Sequence, residues 1–164
     1  MPEFKKISIL DDNMPECIAL SVFPWQSDFV AGNAQSLGEA YDTNRAGNGS
    51  VAVPYAIYED GKMVGFVMYG YFPPEAGEDA YSTDEHIYYV WRLFIDKNHQ
   101  GRGLGRAALS FVMDEIKTKP HGAASYCYSS YIPANTASKA TFAAYGFEED
   151  GRVLGGEVVM RYRL

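Results

Sequence analysis

The stretch Tyr88–Phe111, YYVWRLFIDKNHQGRGLGRAALSF, limits the possible folds of this chain more than any other. Tyr88–Ile95 is β-branched and aromatic with almost no charge, the composition of an interior strand. Leu104, Ala107, Ala108, Phe111, Val112 and Ile116 then recur at helical spacing. Between the two runs lies Gln100-Gly101-Arg102-Gly103-Leu104-Gly105-Arg106. Glycine at alternate positions lets the backbone curl so that its N–H groups share one concavity. A turn of this kind feeding a helix N-terminus gathers unpaired donors at the positive end of the helix dipole. Arg102 and Arg106 add charge, so the expected ligand is a phosphate or pyrophosphate. A glycine turn without a ligand is the plainer alternative.

Three phosphate-binding patterns can be compared with this string. A P-loop ends in Gly-Lys-Ser/Thr, which is absent. A dinucleotide fingerprint needs Gly-x-Gly-x-x-Gly, and Arg106 stands where the third glycine belongs. Gln100-Gly101-Arg102-Gly103-Leu104-Gly105 instead resembles the Gln/Arg-x-x-Gly-x-Gly/Ala signature of the GNAT superfamily of acyl-CoA-dependent N-acetyltransferases. That resemblance implies acetyl-CoA (coenzyme A) as cofactor, with its pyrophosphate on this loop.

The rest of the chain agrees with one α/β domain over residues 1–164. Its length suits a single core, and 47% hydrophobic with 21% charged residues is globular usage. No apolar run has membrane-spanning length and no basic-then-apolar leader opens the chain. Cys17 and Cys127 lack metal-type spacing and read as buried small hydrophobes of a reduced compartment, so the expected location is cytoplasmic. A net charge of −7 argues against nucleic acid and suits a cationic small-molecule partner, unless it serves only solubility. A homodimer is compatible with all of this.

In chain order, Phe4–Leu10 can form a strand, Asp11-Asp12-Asn13 can cap a helix over Met14–Phe23, and Asn33–Arg45 carries a second, weaker helical pattern. Val51–Glu59 and Lys62–Tyr71 flank Asp60-Gly61, a strong hairpin signal, with Pro54 suggesting an edge or bulge. Pro73–Glu85 is an acidic loop holding Glu75, Glu78, Asp79, Asp84 and Glu85. After the central unit, Ala124–Tyr131 reads as a strand and Thr136–Tyr145 as a helix closed by Gly146. Phe147–Val153 and Glu157–Leu164 then pair around Gly155-Gly156. The order predicts a mixed, twisted sheet of about seven strands with helices on both faces. The GNAT resemblance covers nearly the whole chain and adds a splayed cofactor cleft beside the central strand.

The resemblance also assigns roles. The backbone at Leu93, Phe94 and Ile95 would pair with the pantetheine arm, and the Leu93 N–H would face the thioester carbonyl. Asn135 is either a helix cap or a ligand of that arm, and Ser138 and Lys139 would lie near it. The family's general acid is a tyrosine four residues before the Gly-Phe pair that ends this helix. Gly146-Phe147 is that pair, and the counted position is Phe142, which cannot donate a proton. Tyr145, Tyr131, or departure of the sulfur without a dedicated acid remain open. For the acceptor amine, His86, Asp84, Glu85 and Glu75 are candidate bases or cation ligands, against the plainer reading of solvated loop charges. AIYEDGKMVGFVMYGY, YYVWRLFIDKNHQGRGLGRAAL and GEVVMRYRL look closest to bacterial spermine/spermidine acetyltransferases. Tyr69, Tyr71, Tyr81, Asp84 and Glu85 would suit a polyamine, with Tyr71, Asp84 and Glu85 as substrate residues. A coenzyme A-binding module without catalysis, or an enzyme for aminoglycosides, amino acids or peptide N-termini, are the alternatives.

Overall fold

Asp60 and Gly61 both take positive φ, 50° and 75°, the mirror-image turn whose twist matches two antiparallel strands. They join β2 (Val51–Glu59) to β3 (Lys62–Phe72), and almost every side chain of β3 is buried. The computed structural model describes residues 1–8, 10–78 and 80–164. Ile9 of the expected first strand and Asp79 of the acidic loop lie outside the described residues.

Around this hairpin the described residues form one seven-stranded sheet in the order β1-β2-β3-β4-β5-β7-β6. The other members are β1 (Glu3–Lys6), β4 (Ile87–Ile95), β5 (Tyr126–Tyr131), β6 (Glu148–Leu154) and β7 (Glu157–Arg163). Only the β4–β5 pair is parallel, and α3 (Leu104–Lys117) makes that crossover. Helices α1 (Met14–Ala19), α2 (Asn33–Arg45) and α4 (Thr136–Tyr145) complete the chain. The mixed sheet and the element order are as the sequence predicts. No described helix is long and apolar enough to cross a membrane.

Three elements differ from expectation by two residues or more. β1 stops at Lys6, because Asn13 turns its amide back on the chain, accepting from the Ser8 N–H and donating to the Lys6 carbonyl. Asn13 therefore ties a loop rather than capping α1, which ends early at Ala19. β5 begins only at Tyr126. Pro54 sits where the β1 ladder runs out, at the end of its Lys6–Tyr55 register, so its missing N–H costs no sheet bond.

The core lies on both faces of the sheet. Leu104, Ala108, Leu109, Val112, Met113 and Ile116 of α3 are all buried against Val67, Tyr69, Tyr88 and Val90. On the opposite face α1 and α2 pack Cys17, Leu37 and Ala40 onto Ala56, Phe66, Met68 and Phe94. Both cysteines are buried free thiols, and burial pushes the Cys17 thiol up to about 12. A bulge in β4 sets which residues reach which face. Met68 pairs with Arg92 and Tyr69 with Val90, leaving Trp91 as the extra residue. Trp91 and Arg92 consequently both turn to the α2 side, where Arg92 meets Glu39 at 2.8 Å and donates to Ser36 Oγ. Beyond the bulge the alternation is shifted by one, so Leu93 and Ile95 join the α3 face and Phe94 the other.

Candidate active site

β4 and β5 stay together for only two pairs, Tyr88–Cys127 and Tyr89–Tyr128. Ser129 Oγ then donates to the Val90 carbonyl at 3.1 Å, and no later ladder pair follows among the described residues. A cleft of about 1200 Å³ opens where the strands part. Its spine is the second half of β4. Gln100 Nε2 donates to the Ile95 carbonyl at 3.0 Å from the open side, while the Asp96 N–H points the other way to Val64 of β3. N–H and C=O of one residue face one edge, and the edge alternates along a strand. Leu93, two residues before Ile95, therefore presents its N–H and carbonyl to the cleft.

The glycine loop forms one end of this cleft. Gly101 and Gly103 take φ of 76° and 81°, which ordinary side chains resist. Gly103 is the N-cap of α3 without a side-chain cap, and the first helical bond runs from the Ala107 N–H to the Gly103 carbonyl. The N–H groups of Leu104, Gly105 and Arg106 precede it and have no partner within the helix. A Cβ placed on Gly101, Gly103 or Gly105 would meet open space, so the concavity is a real cradle. Gln100 fixes it through a reciprocal amide pair with Gln26, at 2.9 and 3.1 Å. The two arginines separate. Arg102 turns away to Glu59 at 2.7 Å, whereas Arg106 lines the cleft. Free donors, a positive helix end and Arg106 fit a pyrophosphate, and the open β4 edge fits the amides of a pantetheine arm.

Asn135, Ser138 and Phe142 line the same cleft from the start and inner face of α4. Asn135 Oδ1 accepts from the Ser138 N–H at 3.1 Å, so its side chain is the helix cap. Phe142 is buried, with its ring edge-on to Phe147. Tyr145 lies on another side of the helix, where its hydroxyl accepts from Lys117 at 2.9 Å and its ring meets Phe147 and Tyr162. It is not among the residues that line the cleft. Tyr131 is, but its hydroxyl donates to Glu149 at 2.7 Å, and Lys139 salt-bridges the same carboxylate. That hydrogen bond to Glu149 holds the Tyr131 hydroxyl above its ordinary pKa.

Most of the polyamine candidates fall elsewhere. Tyr69 and Tyr71 are two apart on β3 and both face α3, as the period of a strand requires. Tyr69 donates to Glu115 at 2.8 Å and Tyr71 to the Ala123 carbonyl at 3.1 Å. His86 stacks on Tyr71. Glu85 accepts from the backbone and hydroxyl of Ser125, and Asp84 from Ser82, so one carboxylate ties the loop to the start of β5 and the other serves the loop itself. Neither they nor Glu75 line the cleft. Tyr81 does, and it brings partners that sequence reasoning missed. Its hydroxyl is 3.1 Å from that of Tyr89, which lies 2.8 Å from Ser130 Oγ, and Ser130 in turn bonds Glu157. Burial pushes the Tyr89 hydroxyl well above the ordinary tyrosine range. These four residues come from a loop and three strands, and no local pattern announces them.

Comparison with known proteins follows the same lines. The model of the acetyltransferase (GNAT) family matches residues 18–147. The chain is 29% identical over 160 residues to the probable spermine N(1)-acetyltransferase of Bacillus subtilis subsp. natto, covering 93% of each chain. The spermine/spermidine N(1)-acetyltransferase of Bacillus subtilis gives the same identity and coverage. Among solved structures, the PaiA N-acetyltransferase of Thermoplasma acidophilum, in complex with coenzyme A, superposes with a TM-score of 0.67 at 14% identity. That superposition covers 100% of this chain and 99% of the other.

Proposed function

The chain belongs to the acetyltransferase (GNAT) family, whose members use acetyl-CoA, and from that premise we propose that it acetylates a primary amine of a small polycation such as spermidine or spermine. The observation that carries this reading is the continuity of the free β4 edge with the glycine cradle, in one cleft whose far wall holds a carboxylate and tyrosine hydroxyls. Acetyl-CoA supplies the acetyl group as an activated thioester. Leu104, Gly105 and Arg106 would hold its pyrophosphate through backbone N–H groups, with the Arg106 side chain beside them. Leu93 would direct its N–H at the carbonyl oxygen that gains charge as the amine attacks.

A general acid from α4 or from the end of β5 has no place in this mechanism. Phe142 occupies the cleft face, Tyr145 faces Lys117, and the Tyr131 proton is committed to Glu149. Thiolates are weak bases, so the sulfur can leave as its anion without a tyrosine to protonate it, and the attacking nitrogen sheds its proton to solvent. The test is release of free thiol from acetyl-CoA over a panel of polyamines, aminoglycosides, amino acids and peptides. Turnover with spermidine and spermine well above the others is expected. Preference for a neutral or anionic amine would overturn the acceptor assignment.

A further inference from the structure

The hydroxyls of Tyr81, Tyr89 and Ser130 end on Glu157 in a single file along the cleft wall. An ionised carboxylate accepts hydrogen bonds and cannot donate them. With Glu157 ionised, Ser130 must donate to it. Ser130 Oγ is then the acceptor for Tyr89, and Tyr89 the acceptor for Tyr81. One charge thus orients three protons in the same direction, and each bond strengthens the next. The Tyr81 oxygen is left with lone pairs and no proton to offer, while the second oxygen of Glu157 is engaged by no hydrogen bond among the described residues. Both ends of the file are acceptors.

The file is also held from outside. Arg152, paired with Asp150 at 2.6 Å, donates to the carbonyls of Ala80 and Tyr81 at 3.0 and 3.2 Å. This clamp fixes the Ala80–Tyr81 stretch of the acidic loop, where the Tyr81 ring packs 4.9 Å from that of Tyr89. Trp91 lines the same cleft beside them, giving apolar and π surface.

We propose that the Tyr81–Tyr89–Ser130–Glu157 file is the recognition wall for the acceptor, taking an alkylammonium group at Glu157 and a second N–H donor at Tyr81. A diamine or polyamine satisfies both ends and lays its methylenes on the aromatic rings between them. Neutral alcohols and carboxylates do not. The assignment rests on the acetyltransferase reading and adds the residues that choose the substrate class. Glu157 is the acceptor-binding residue, and Ser130, Tyr89 and the Arg152 clamp are positioning residues.

The decisive variant is Glu157→Gln. Its amide oxygen can still accept from Ser130, so the file keeps its direction while the charge that holds the ammonium group is lost. Calorimetric titration of spermidine into the coenzyme A-saturated protein should show a Kd raised about tenfold or more, the scale of one charged hydrogen bond. The KM for acetyl-CoA should not move, which separates this effect from a structural one. Tyr81→Phe removes a single hydroxyl at the mouth of the cleft and should weaken spermidine by a smaller factor. It also serves if Glu157→Gln fails to fold. A spermidine Kd unchanged in both variants overturns the wall while leaving the acetyltransferase reading intact. If the wild-type protein acetylates amines other than spermidine, the same titration with the preferred amine decides in the same way. If it neither binds nor acetylates any amine, both readings fall.

Discussion

The two walls of the cleft are built on opposite plans. The donor wall is one continuous piece of chain, from Leu93 through Gln100–Arg106 into α3, and it acts mainly through backbone N–H groups. The acceptor wall is assembled from Tyr81, Tyr89, Ser130 and Glu157, and it acts through side chains. Backbone recognition needs only the right φ values and a helix start, both of which are local. Side-chain recognition needs a sheet to bring distant residues together. The donor wall should therefore fail when a backbone angle is disturbed, and the acceptor wall when one polar atom is exchanged.

The largest effect is expected from Gly103→Val. At φ of 81° a β-branched residue is strained, and relief would swing the first N–H groups of α3 out of the cradle. The cost of such a backbone, 1–3 kcal/mol, corresponds to up to roughly 100-fold in affinity for coenzyme A. Titration calorimetry with acetyl-CoA reads it directly. An unchanged affinity would reduce the loop to a turn and dissolve the distinction between the two walls.

The loop arginines sharpen the comparison within the donor wall. Arg106→Ala should weaken coenzyme A about tenfold, because a charged partner of the phosphates is lost. Arg102→Ala should leave that affinity almost unmoved, since its guanidinium already faces Glu59 on an exposed surface. Equal losses from the two variants would mean that Arg102 swings into the cleft when the ligand binds.

This asymmetry explains what could be read from the sequence. The Asp60-Gly61 hairpin, the Asn33–Arg45 and Thr136–Tyr145 helices and the glycine cradle are short-range patterns, and the structure has them where the patterns fall. The cleft-facing aspect of Leu93 was not fully legible, because the Trp91 bulge resets the alternation of β4 and leaves no mark in the string YYVWRLFI. Glu157 was invisible for another reason. It follows a Gly-Gly turn and looks like any strand-opening carboxylate, and its partner Ser130 is 27 residues away in sequence. The clustered carboxylates of the acidic loop point elsewhere. Their charge is conspicuous in a sequence, whereas their hydrogen bonds to Ser82 and Ser125 are not.

A smaller effect tests the missing acid. Tyr131→Phe removes a hydroxyl whose proton is given to Glu149, so kcat should fall only a few-fold, far short of the factor of roughly 100 or more that loss of a general acid produces. Steady-state rates with saturating acetyl-CoA separate the two cases. A loss of roughly 100-fold, with both KM values unchanged, would return the acid role to Tyr131 and give the cleft a catalytic side chain.

The smallest effect is expected from converting Asp84 and Glu85 together to Asn and Gln. Both carboxylates lie off the cleft, and each is occupied by a neighbouring serine that an amide oxygen could still satisfy. What the change removes is charge at a distance, two units of the net −7. At about 0.15 M salt such charges are screened within roughly 8 Å, so only the steering of a polycation toward the cleft should suffer. The KM for spermidine should rise by no more than about twofold at that salt and by a larger factor at low ionic strength, because the Debye length grows as salt is removed. The KM for acetyl-CoA should stay constant throughout. A rise of about tenfold that persists at high salt would place a direct ammonium contact on the loop, and the acceptor wall would then begin at Glu85 rather than at Tyr81.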